Sequence, residues 1–150
     1  MSSLPPAKDV LQNFLQKLVS TLNSDLEMRC RARRFFKPND PSILSITIPD
    51  LELVFTIGLQ NGKFTFKEGK EGMPILEIKI PLKQFTRMLL NEETVVEALI
   101  EDGSELISNP ERYNHDTGAT IIELLVVAQE LVERDEELKK SITSIGSGRV

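Results

Sequence analysis

His115 is the single histidine of the chain and stands in "ERYNHDTG", between Tyr113 and Asp116. Imidazole, phenol and carboxylate are the side chains that move protons near neutral pH, so this stretch is the first place to look for acid–base chemistry. It offers neither a nucleophile beside a base nor a second histidine, and the plainer reading is a polar loop that caps the next helix. The single cysteine, Cys30, lies among arginines in "EMRCRARRFFKPNDP". Neighbouring positive charge lowers a thiol pKa, but the plainer reading is a buried structural thiol. One His and one Cys cannot build the usual Cys/His zinc sites. The chain holds no G-x-S-x-G, no Walker loop and no G-x-G-x-x-G. No catalytic residue, metal or cofactor is therefore expected, and the chain is read as not an enzyme.

The remaining chemical feature is a basic row. Arg29, Arg31, Arg33, Arg34 and Lys37 crowd together in a chain of net charge −5. Such a row attracts an anionic headgroup, a coenzyme A phosphate or an acidic partner; equally, it is a solvated strand face that discourages edge pairing. Phe35 and Phe36 read as core, so the row lacks the exposed aromatics that stack on nucleic acid. The acidic balance also argues against a nucleic-acid binder.

These residues need a scaffold, and 150 residues suit one domain. The span 1–150 is expected to fold as a unit, ordered over about 8–142 with a flexible C-terminal end. No apolar run is long enough to span a bilayer, and "MSSLPPAKDV" is not a secretory signal. With a lone cysteine, the expectation is a cytoplasmic protein. Val10, Leu11, Phe14, Leu15, Leu18, Val19 and Leu22 form the stripe of a first helix, with Asp9 as a cap. Arg29, Arg31 and Arg33 alternate with Met28, Cys30 and Ala32, a strand period. "SILSITI", "LELVFTIGL", "KFTFKE" and "ILEIKI" alternate apolar and other residues, and Asn61-Gly62 between the middle two signals a type I′ hairpin. Short connections predict an antiparallel meander of about five strands with one face covered by helices, an α+β fold. A short strand fits "ELIS". Pro81 opens one short helix, and a second stops near Gly103. "ATIIELLVVAQELVERDEELKK" reads as one long helix capped by Asp116 or Thr117, apolar all round at first and charged and exposed in its second half.

The helix, the meander with "LELVFTIGLQNGKFTFKEG" and the strand-then-helix unit "ILEIKIPLKQFTRMLLNEE" together resemble the sterol carrier protein 2 type of lipid-carrier domain. The resemblance spans roughly Ser42 to Glu101. It departs at "SELISNPERYNHDTGATIIELL", which is longer and more acidic than the family's counterpart, and "RMLLNEE" lacks a glycine the family often has there.

The resemblance implies a ligand held between sheet and helices. The expected walls are Phe55, Ile57, Phe64, Phe66, Leu89, Ile121, Leu124 and Leu125. The partner is then an apolar or amphipathic small molecule such as a fatty acid, acyl-CoA or sterol-like lipid, with transient membrane contact and no nucleic acid. The same alternation also suits a packed-core protein–protein interaction module, dimeric through its final helix or a sheet edge.

Overall fold

The computed structural model describes residues 6–146. Of the end expected to be flexible beyond about 142, residues 143–146 belong to the last helix and 147–150 lie outside the described residues. In chain order come α1 (Ala7–Ser24), α2 (Leu26–Arg33), β1 (Asp40–Ile48), β2 (Leu53–Gln60), β3 (Lys63–Glu68), β4 (Leu76–Lys79), α3 (Leu82–Leu89), α4 (Val95–Ile100), β5 (Glu105–Ser108), α5 (His115–Arg134) and α6 (Glu136–Gly146). The fold is α+β.

The α1 stripe is buried from Val10 to Leu22, apart from half-buried Val19, and Phe14 meets Phe85 of α3 edge to face at 6.5 Å. Asn61 and Gly62 have φ of 51° and 77°, the two successive left-handed residues a type I′ turn demands. One sheet face carries Leu53, Phe55, Ile57 and Leu59 of β2 opposite Leu44, Ile46 and Ile48 of β1, with Leu76 and Ile78 of β4 alongside. This face and the helices enclose one contiguous apolar core.

Several expectations need correction. The sheet, ordered β3-β2-β1-β4-β5, is mixed: β1 and β4 run parallel, with Leu44 beside Leu76 and Ile46 beside Ile78. After β3 the chain does not turn back onto its neighbour. It crosses the outer face, where Thr56 Oγ1 donates to Gly69 O (2.8 Å) and Ser42 Oγ donates to Glu71 O, and enters β4 on the far side of β1. That crossing also covers part of the face expected to be polar and wet, burying Thr56 and Ser42.

Met28–Arg33 is helical, not a strand. Asp25 accepts the Met28 N–H at 3.1 Å and caps α2, and the buried residues are Met28 and Ala32, one helical turn apart. Cys30 is consequently exposed rather than buried, and Phe35, just past the helix, is 45% exposed rather than core.

The long final helix is two. Asn114 caps α5 in a reciprocal box with Thr117, two or three residues earlier than expected. Asp135, extended at φ −110°, ψ 100°, then breaks the chain and caps α6 through the Leu138 N–H at 3.0 Å. The "exposed" second half therefore returns to the core and buries Leu138, Ile142 and Ile145.

Candidate functional site

The expected wall residues assemble in the core. Phe55, Ile57 and Phe64 on the sheet, Leu89 at the end of α3, and Ile121, Leu124 and Leu125 on α5 are each no more than 3% exposed. Phe66 is half-buried and packs against them at the margin. The stretch of α5 that is apolar on many sides has a simple cause. It is wedged among α2, α3, α4 and α6, so several of its faces leave water.

The surface holds several clefts: one of about 390 Å³ lies beside Pro41, Thr56 and Phe66, and two others meet at Phe35. Of these two, the first, about 480 Å³, is walled by Cys30, Arg31 and Arg34 against Ala119, Thr120 and Glu123 of α5. The second, about 450 Å³, runs from Phe36 and Lys37 past Asn39 and Asp40 to Arg112, Asn114 and Thr117, with buried Ile75 among its lining residues. The hairpin turn docks beside them: Asn61 N donates to Asn39 Oδ1 (2.7 Å) and Gly62 N to Pro38 O (2.9 Å).

The basic row divides by partner. Arg31 donates to Glu123 Oε1 (2.7 Å) and Glu130 Oε2 (2.9 Å), which together lock α2 to α5. The hydrogen bond to Glu130, then that to Glu123, holds the Arg31 pKa above its already high ordinary value. Arg29 donates to Asn23 O (3.0 Å), and Arg33 reaches over the hairpin to lie 3.0 Å from where a Cβ on Gly62 would stand. Arg34 has its guanidinium 5.2 Å from the Phe35 ring centre, and neither it nor Lys37 is among the ion-paired residues of the described chain. The clefts thus present Arg34 and Lys37 together with the exposed Phe35 ring, while the hydroxyls of Thr117 and Thr120 are buried and hydrogen-bonded within α5 and its cap.

The acid–base candidates do not converge. His115 and Asp116 are exposed in the first turn of α5, while Tyr113 folds back so that its hydroxyl lies 2.4 Å from where a Cβ on Gly118 would stand. Among the described residues no three His, Cys, Asp or Glu side chains group as metal ligands. Sequence reasoning missed Arg112. It donates to Asp40, to Ser42 O (2.9 Å) and to Met73 O, tying the loop before α5 to β1 and the crossing segment. Asp40 stands 72 residues away in sequence, and no local pattern marks the pair.

No family model and no curated protein matches this sequence. Solved structures do. A crystal structure of sterol carrier protein 2 superposes with a TM-score of 0.57 over 79% of this chain and 95% of its own, at 18% identity. The solution structure of the conserved hypothetical protein TT1886, from Thermus thermophilus, gives 0.56 over 79% and 86%, at 17% identity. The UbiJ-SCP2 ubiquinone synthesis protein gives 0.54 over 84% and 97%, at 8% identity. The element order, the five-stranded mixed sheet and the helical layer of this chain are thus those of the sterol carrier protein 2 fold.

Proposed function

We propose that this protein is a non-enzymatic carrier of an apolar or amphipathic ligand: a fatty acid, acyl-CoA or sterol-like lipid. The observation that carries the reading is the single apolar core in which Phe55, Ile57 and Phe64 of the sheet and Ile121, Leu124 and Leu125 of α5 are buried together. The hydrocarbon tail occupies that core, flanked by Phe66 and Leu89. The polar end lies by Phe35, within reach of Arg34 and Lys37. Burying roughly ten methylenes contributes about 8 kcal/mol before ordering costs, so few polar contacts are needed. The core is closely packed, so loading requires α5 to draw away from the sheet, which first breaks the Arg31 bonds to Glu123 and Glu130 that hold α2 to α5. The same cations favour transient contact with an anionic membrane during loading. The reading places the carrier in the cytoplasm, where the exposed Cys30 stays a thiol.

The test is titration with a fluorescent fatty-acid analogue of the wild type, Leu124→Trp and Arg34→Glu. Saturable binding that Leu124→Trp abolishes with its circular dichroism intact, and that Arg34→Glu weakens, supports the carrier. Should Leu124→Trp fail to fold, Leu125→Phe fills the same core with less added volume. Absence of binding by the wild type refutes the reading. The near-complete burial of these residues favours the other reading, a packed-core interaction module, and that reading then stands.

A further inference from the structure

The two edges of the sheet are finished differently. At the β3 edge, α1 packs alongside, and Asn23 serves both backbone groups of one residue. Its Nδ2 donates to Phe64 O (2.9 Å), and its Oδ1 accepts from Phe64 N (2.7 Å). Lys8 and Gln12 of α1 further hold Glu68 at the strand end. α1 thus covers part of that edge.

Among the described residues the β5 edge has no such cover. All four of its residues, Glu105 to Ser108, are exposed. Asn109 N donates to Ile75 O at 3.0 Å, and antiparallel hydrogen bonding alternates along a strand. In the observed register Ile107 and Glu105 therefore turn their backbone groups toward β4, and Leu106 and Ser108 turn theirs outward. Two N–H and two C=O groups thus face solvent in a row. Leu106 is 43% exposed and Ile107 41%, and on the neighbouring α4, Val96 and Ile100 are 49% and 74% exposed. Natural sheets blunt open edges with lysine, proline, a bulge or a covering element. Within β5 the sole charge is Glu105, engaged by Lys79 of the same chain at 4.0 Å.

We infer that β5 is the contact for a second copy of this chain, pairing antiparallel with its own counterpart about a two-fold axis at Ile107. A two-fold perpendicular to the sheet keeps each face continuous, so residues of like parity must oppose one another. Centred on Ile107, the register sets Leu106 opposite Ser108 of the second copy, and Ser108 opposite Leu106. Those are the residues whose backbone groups point outward, so all four groups on each copy find a partner. The Ile107 side chains then meet on the axis. Glu105 never opposes itself. It meets Asn109 of the second copy, whose side-chain Oδ1 already accepts the Glu111 N–H and whose Nδ2 is free to donate among the described residues. Pro110, which has no N–H to lose, falls at the next outward position. The pairing is short, and each copy carries a net charge of −5, with Glu97 and Asp102 exposed nearby. The result is a dissociable dimer, and added salt tightens it by screening that repulsion.

Sedimentation over a concentration series, with hydrogen exchange of the Leu106 and Ser108 amides, tests this on the full chain. The expected result is a monomer–dimer equilibrium that tightens with salt and slows exchange at both amides as the dimer fills. Ile107→Lys and Ile107→Glu, placed at an exposed position, each weaken self-association at least about tenfold. An equimolar mixture of the two restores it, because the axis brings 107 against 107. A chain that stays monomeric at every concentration overturns the proposal. So does a dimer indifferent to both substitutions, or one that the mixture fails to restore. A heptapeptide alternating lysine and valine that protects the same amides on a monomeric chain, and weakens with salt, also overturns it and assigns the edge to a foreign basic strand. Ligand titration reads none of these outcomes, so the carrier reading stands or falls separately.

Discussion

At the scale of single residues, the sharpest constraints come from close approach and from protons. Gly58 faces the irregularity in the β1–β2 pairing, and a Cβ there would lie 2.3 Å from Pro41 O and 2.8 Å from Asp40 O. Backbone cannot swing aside as a side chain can. Gly58→Ala is therefore expected to destabilise by about 3 kcal/mol, read as a lowered urea midpoint. Glu93 illustrates the second constraint. A hydrogen bond to Glu101, followed by burial and the charge of Glu101, raises its pKa above the ordinary 4.5, and Arg87 at 3.3 Å opposes the shift only in part. Its folded-state pKa exceeds its unfolded value, so the native state binds the proton more tightly. The resulting stabilisation is fully present below 4.5 and is lost as pH rises through the raised value. Glu93→Gln, which imitates the protonated form, should keep at neutral pH what the wild type holds only below that window. Urea denaturation across pH reads this as a flatter profile.

Elements are set by how they end and by what covers them. Asp135 separates α5 from α6, caps the latter and accepts from Lys17 at 3.1 Å. The Leu138 N–H and then Lys17 hold its carboxyl below the ordinary 3.8, so this stabilisation is present above 3.8 and is lost as pH falls through the lowered value. Asp135→Ala is expected to cost about 1 kcal/mol, mainly through the lost cap, and to shift the acid unfolding limb. At the β3 edge, Asn23→Ala would leave the Phe64 N–H and C=O without a protein partner. The expected outcome is a loss of about 2 kcal/mol and selectively faster hydrogen exchange at the Phe64 amide, while the β1–β4 amides stay protected.

For the whole molecule, one apolar core links the sheet to every covering helix, from Val10 of α1 to Ile145 of α6. Unfolding should therefore be a single cooperative transition by fluorescence-independent probes such as circular dichroism and calorimetry. A carrier adds a further expectation. A ligand present at about a hundred times its Kd stabilises the native state by about 2.7 kcal/mol. The melting temperature measured with a saturating fatty acid should rise accordingly, and Leu124→Trp should abolish the rise.

Much of this architecture is legible in the one-dimensional pattern. Alternation marks β1 to β4, Asn61-Gly62 dictates its own turn because the two residues tolerate positive φ, and the α1 stripe names the face it buries. These features are local, set by backbone preference and by which side of an element leaves water. The tertiary structure decided the rest. The Arg29–Arg34 row has a strand's alternation, yet it coils because Asp25 caps it and Met28 and Ala32 need to share one buried side. The parallel partnership of β1 and β4 joins segments about thirty residues apart, and Arg112 finds Asp40 across 72. Periodicity also cannot reveal which sheet edge a helix will cover. That depends on where α1 comes to rest, and so on the packing of the whole core rather than on any single stretch of chain.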